Sequence, residues 1–163
     1  MSTHTTGPTT AQNTVELAKL YSGKLLALAA DIPLTGRLET PQASVRERAP
    51  LCGSTVTVDL DVADGKVLRF AQDVKACALG QAAASVLGAQ VIGRTGAELA
   101  QARDELEAFL KQNGPVPSAP FDGYEALLPA RDYKNRHASI LLALTAAKNA
   151  FELAEKAQNL TNS

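Results

Sequence analysis

The chain reads as an α+β domain: an N-terminal helix, a three-stranded antiparallel sheet, then helices packed on one face, in the manner of strands followed by helices. Three observations predict this. Val56, Val58, Leu60 and Val62 alternate with Thr55, Thr57, Asp59 and Asp61, the period of a strand with one buried face. Ala63-Asp64-Gly65 then makes a turn into a second run, Lys66 to Gln72. Beyond that hairpin the apolar spacing changes to the helical one and stays so.

In order, residues 1–12 are small and polar and predict a disordered tail that includes His4. A single domain is expected over 13–158, with a second tail at 159–163. A helix is expected from Asn13, capped by Asn13 or Thr14. Val15, Leu17, Leu20, Leu25, Leu28 and Ile32 supply its apolar faces, with a break at Ser22-Gly23 and a stop at Pro33. Residues 43–48 form an edge strand, since their charges suit a sheet margin. The hairpin register follows from its faces. A three-residue loop with Gly65 in the left-handed region sets Leu60 opposite Leu68 and Val58 opposite Phe70, giving one clean apolar face. That register brings Cys52 and Cys77 to the same end of the hairpin.

Residues 78–92 form an Ala-rich helix closed by Gly93. Thr95 and Glu98 spell a capping box for a helix to about Gln112, with Leu99, Ala102, Leu106, Phe109 and Leu110 on one face. Pro115, Pro117 and Pro120 stiffen a connector, and Tyr124 to Leu128 suit one helical turn. The last helix begins near His137, carries Ile140, Leu141, Leu144, Ala147 and Phe151 at helical spacing, and frays by about Gln158.

Composition limits what the domain does. With 45% apolar residues and no Trp, the core is Leu, Val and Ala with few rings. A net charge of −1 and no basic run argue against nucleic acid as the main partner. Residues 15–32 are interrupted by Lys19 and Lys24, so they do not suit a membrane span, and residues 1–14 show no leader pattern. Two cysteines are too few for a disulfide framework, and a cytoplasmic setting is expected.

The soft donors are Cys52, Cys77 and His137. A helix opening at Cys77 favours a thiolate there, and one opening at His137 favours the neutral imidazole that can bind metal. Two thiolates and an imidazole suit zinc or iron. Spacing alone leaves this site and a plainer reading, two small buried cysteines and a histidine at a helix start, evenly matched. A cross-strand disulfide is a weaker third. Asp73 and Lys75 flank Cys77 as a further ligand or as solvated strand ends. Arg131, Lys134 and Arg136 beside Tyr133 form a small basic cluster, and Asp132 is a carboxylate stand-in nearby.

Pro50-Leu51-Cys52-Gly53-Ser54, the strands to Phe70, and Cys77 with Ala82 and Ser85 resemble the IscU/NifU-type iron–sulfur cluster scaffold proteins. Val91-Ile92-Gly93-Arg94-Thr95 before Glu98-Leu99, and Arg136-His137-Ala138-Ser139-Ile140-Leu141, extend the resemblance from about Leu17 to Phe151. It implies the same α+β fold, and an iron–sulfur cluster or iron precursor held by Cys52, Cys77 and His137. It also implies a cysteine desulfurase as sulfur source and acceptor apoproteins as recipients. Two family groups are replaced. Ser54 stands where the family has an aspartate, and the third cysteine falls on His137 or, if His137 matches the histidine before it, on Ala138. These departures raise a zinc-binding structural or regulatory module as the alternative on the same fold. A thiol enzyme with His137 as base lacks an orienting group or oxyanion site, so the chain is read as a non-enzyme. The oligomeric state is left open.

Overall fold

The computed structural model describes residues 21–162. Helix α1 (Gly23–Ala30) is followed by β1 (Ala43–Arg48), β2 (Thr55–Ala63) and β3 (Lys66–Lys75), then α2 (Ala78–Gln90) and α3 (Gly96–Lys111). A 3-10 segment (Asp122–Asp132), a short second one (Lys134–Arg136) and the long α4 (His137–Asn162) complete it. The expected tail at 1–12, and the helix proposed from Asn13 as far as residue 20, lie outside the described residues. Where description begins, Ser22 caps α1 by accepting from the Leu25 amide at 3.3 Å, at the predicted Ser22-Gly23 break.

The sheet is antiparallel in the order β1-β2-β3, with β2 at its centre. Its Val56, Val58, Leu60 and Val62 are buried on the face that α4 covers. Each such side chain stabilises the fold by about 1.5–3 kcal/mol relative to exposure. The hairpin differs from the expected register. Its turn has two residues, Asp64 and Gly65, both with positive φ (54° and 73°), and Ala63 pairs with Lys66. A bulge then passes over Leu68, so Leu60 faces Phe70 and Val58 faces Gln72. The bulge puts Leu68, 57% exposed, into solvent. The preceding Val67 is held elsewhere: its amide donates to Arg94 O and its carbonyl accepts from the Gly93 amide. An extra residue spliced into one strand thus does what the longer loop was expected to do.

The other face of β2 carries carboxylates that are nonetheless covered. Asp59 and Asp61 are buried beneath residues 34–42, an irregular strap. Arg37 Nε donates to Asp59 Oδ2 at 2.7 Å, Arg37 Nη2 to Oδ1 at 3.1 Å, and the Leu38 amide to Oδ2 at 3.0 Å. The Gln42 amide donates to Asp61 Oδ1 at 2.8 Å, while Gln42 Oε1 accepts from the Val62 amide at 2.8 Å. Burial works to raise the Asp59 carboxyl pKa, but hydrogen bonds from Arg37, Ser44 and the Leu38 amide, and the Arg37 charge, hold it below the ordinary value.

The helices follow the expected caps. Thr95 and Glu98 form the capping box of α3, worth about 1 kcal/mol, and Leu99, Ala102, Leu106, Phe109 and Leu110 are its buried residues. The single turn expected at Tyr124 to Leu128 is instead the full segment Asp122–Asp132. Phe121, Tyr124, Leu127 and Ala130 are all buried, a spacing of three that matches the 3-10 period. The end expected near Gln158 also moves: α4 runs to Asn162, because Gln158 Nε2 donates to the Val62 carbonyl and ties the helix to β2.

Asp59→Ala is expected to destabilise the domain by about 2 kcal/mol, since the Leu38 amide and Arg37 lose a buried acceptor. A lower urea midpoint at unchanged slope checks this. A depressed carboxyl pKa stabilises above the unfolded value of about 4 and loses that contribution as pH falls through the folded value. The midpoints of the two proteins should therefore converge in acid.

Candidate functional site

The β1–β2 connection is a tight loop built to present Cys52. The Ala49 amide donates to Ser54 O and the Gly53 amide to Ala49 O, both at 2.9 Å. Gly53 sits at φ +73°, where a side chain would strain the backbone. Cys52 is thereby exposed at the tip and Ser54 is turned inward and buried. Cys77 is the N-cap residue of α2, in extended conformation, and half-buried.

Between them runs a chain of hydroxyls. Cys52 Sγ donates to Ser54 Oγ at 3.1 Å, Ser139 Oγ donates to Ser54 Oγ at 3.2 Å, and Cys77 Sγ lies 3.4 Å from Ser139 Oγ. Cysteines from two connections thus meet across serines from β2's entry and the first turn of α4. The predicted convergence of the thiols at one end holds, although the strand register that delivers it is different. Ser139, 1% exposed, fits because Gly80 faces it from α2. A Cβ at Gly80 would lie 2.5 Å from Ser139 Oγ and 2.9 Å from Ala76 Cβ.

The hydroxyls also set the chemistry of the exposed thiol. The Ser54 hydrogen bond draws the Cys52 pKa below its ordinary value, opposed by burial and helped by the Ser54 backbone, Ser139 and the Arg136 charge. Once Cys52 is ionised, the Ser54 hydroxyl can turn to donate to the sulfur, which is the stabilised form.

His137 corrects an expectation. It begins α4 and is 3% exposed, as its place on the apolar face predicted. Its Nε2, however, lies 3.0 Å from Ala130 O and 3.1 Å from Arg131 O. Both partners are carbonyls, so Nε2 carries a proton and donates. Two residues along a helix turn by about 200°, so Ser139 faces the thiols and His137 faces away. There it lines a cleft of about 500 Å³ with Lys111 and Lys134. Among the described residues no group of three or more His, Cys, Asp or Glu stands ready to hold a metal ion. The expected meeting of Cys52, Cys77 and His137 is therefore reduced to the two thiols. Arg131 of the basic cluster is a strut: its Nε donates to Phe109 O at 2.7 Å, its Nη2 to Gly114 O, and its guanidinium lies 4.5 Å over the Phe109 ring.

No protein-family model and no curated protein matches the chain. A solved structure does: the N-terminal part of a nitrogen-fixing NifU-like protein from Brucella abortus, 43% identical, TM-score 0.83, covering 86% of this chain and 98% of that one. The chain belongs to the NifU-like family. Two more distant structures share the NifU-like fold. One, a proposed iron–sulfur cluster assembly scaffold for the SUF system from Fervidobacterium islandicum AW-1, is 18% identical with TM-score 0.72, over 82% of this chain and 98% of its own. The other, a hypothetical protein, is 22% identical with TM-score 0.68, over 86% and 98%. In this NifU-like chain, Ser54 was marked in the sequence only as the replacement of an aspartate, and Ser139 is the site residue that the sequence did not single out. The close approach of Gly80 was the available signal for Ser139.

Two expectations follow from this geometry. Alkylation of Cys52, followed by mass spectrometry of its peptide, should show a pH midpoint below that of a free thiol, and Ser54→Ala should move the midpoint upward. Gly80→Ala should destabilise the fold by about 1–3 kcal/mol through overpacking against Ser139, read as a lower melting temperature.

Proposed function

We propose that the chain is an iron–sulfur cluster assembly scaffold or carrier, holding a cluster or its iron precursor as cargo on Cys52 and Cys77. The observation that carries this reading is the convergence of the two thiols through Ser54 and Ser139, on a chain that belongs to the NifU-like family. Thiolates are the ligands such clusters use. The inner side of the pair is closed by buried hydroxyls and the outer side is open at Cys52, so ligands can exchange there. A cargo site needs that openness more than it needs an acid–base pair. Ser54, in place of a carboxylate, leaves a neutral group beside the first sulfur. A cysteine desulfurase would supply sulfur, with Cys52 as the receiving thiol because it is exposed and its thiolate is favoured. Acceptor apoproteins would take the product, and no enzymatic turnover is assigned to the chain itself.

His137 then acts through the backbone. Its Nε2–H fastens the end of the Asp122–Asp132 segment to the start of α4, and so fixes where Ser139 stands.

Anaerobic purification with iron, acid-labile sulfide and zinc analysis tests the proposal. Iron and sulfide in matching amounts with visible absorption are expected. Stoichiometric zinc that resists exchange would instead support the zinc-binding module. Cys52→Ala and Cys77→Ala should each lose most of the bound iron. His137→Ala should keep it while lowering stability by about 1–3 kcal/mol, as the Ala130 and Arg131 carbonyls lose the imidazole N–H and Ala130 O keeps only the Tyr133 amide.

A further inference from the structure

The scaffold reading leaves the cleft on the far side of α4 without a role. It holds about 500 Å³, within the roughly 300–1,000 Å³ of small-molecule sites. Leu110, 2% exposed, gives it an apolar floor. Its walls carry three cations, Lys111, Arg131 and Lys134, against one carboxylate, Asp132, in a chain whose net charge is −1.

The cations differ in how far they are already engaged. Arg131 is fixed: its Nε and Nη2 donate to the Phe109 and Gly114 carbonyls, which leaves its charge and only Nη1 for a ligand. Lys111 Nζ stands 4.0 Å from Glu107 Oε1, at the limit of an ion pair, and Glu107 already accepts from Arg103 Nη1 at 2.6 Å. Lys134 has no ion-pair partner among the described residues.

His137 supplies the observation that turns a basic hollow into a ligand site. Its Nε2 donates to Ala130 O and Arg131 O, so Nδ1 of the neutral ring is an acceptor. No described residue hydrogen-bonds Nδ1. The sealed side-chain atoms without a partner are Gln72 Oε1, Arg94 Nε and Tyr124 OH, and Nδ1 is not among them. The ring is 3% exposed and lines the cleft, so Nδ1 is reached from there. A fitting ligand gives one hydroxyl to Nδ1 and spreads its anionic groups over a short carbon frame that covers Leu110. Separate, single donors suit carboxylates. The clustered oxygens of a phosphate would call for the paired edge of a guanidinium, and Arg131 has that edge on backbone carbonyls.

We propose that this cleft binds a small hydroxylated polycarboxylate, its carboxylates on Lys111 and Lys134 and its hydroxyl on His137 Nδ1. The ligand is separate from the cargo, because His137 and Ser139 face opposite ways from the first turn of α4.

The test is calorimetric titration of the full chain, free of cargo, with citrate, with tricarballylate (the same three carboxylates without the hydroxyl) and with pyrophosphate. One citrate per chain is expected, bound about fivefold more tightly than tricarballylate, the effect of one hydrogen bond. Imidazole nitrogen-15 spectra should show His137 Nδ1 moving with citrate and staying put with tricarballylate. Lys111→Gln and Lys134→Gln should each weaken citrate about tenfold, as a charge-assisted hydrogen bond is lost. Asp132→Asn should strengthen it about threefold, as a like charge is removed. All three variants should keep the circular dichroism spectrum, and Cys52→Ala should bind citrate as the unaltered chain does. Equal binding of citrate and tricarballylate overturns the proposal, as does neither heat nor an Nδ1 shift at millimolar citrate. Tighter binding of pyrophosphate overturns the carboxylate assignment. Loss of citrate binding in Cys52→Ala would put the ligand at the thiols and overturn the separate site.

Discussion

The close crossing of α2 and α4 at Gly80 is the constraint on which the rest of the site hangs. A helix can lie this near another only where one of them lacks a side chain, and Ser139 occupies the space that a Cβ at Gly80 would need. The same economy runs along α2. Ala82, Ala83, Ala84, Ser85 and Gly88 are all buried, and a Cβ at Gly88 would come within 2.8 Å of Gln72 Nε2 and 2.9 Å of Pro33 O. Small residues thus let α2 sit tightly between the sheet, α1 and α4. The end of α2 where Cys77 caps it is held in place by that packing, so the second thiol is placed by the core and the first by a loop.

Much of the fold was legible because it rests on local chemistry. The alternation in residues 55–62, the Thr95–Glu98 capping box and the apolar stripe of α3 each encode an element within a few residues. The hairpin register was not legible. It depends on Val67 pairing with Gly93 and Arg94, a contact between distant parts of the chain that forces Leu68 out of line. The extent of the 3-10 segment was legible in principle, since the buried residues from Phe121 to Ala130 recur every third position. That period is easily lost beside the stronger 3.6-residue pattern of the neighbouring helices.

The site was half legible. Cysteines are rare enough in this chain that two of them flanking one hairpin draw notice, and their convergence follows from strand pairing of almost any register. His137 shows where such counting stops. Helical spacing correctly put the imidazole in the interior, but an interior position says nothing about which neighbour it meets, and the Ala130 and Arg131 carbonyls at the end of the 3-10 segment meet it. A hydroxyl residue such as Ser139 is too common to stand out without coordinates, and Ser54 stood out only as a replacement, not as a hydrogen-bond partner of the thiol. Membership of the NifU-like family ties these pieces together, and Ser54 puts an uncharged hydroxyl against the Cys52 sulfur.

The strap over the back of the sheet has a consequence of a different kind. Residues 34–42 contain no helix or strand of their own, yet Asp59 and Asp61 grip them at Arg37, Leu38 and Gln42. The grip on Leu38 and Gln42 is through their backbone amides, which any residue but proline provides. The shape of that loop is therefore stored in the strand beneath it, and most of its letters can drift over evolutionary time without loss of form.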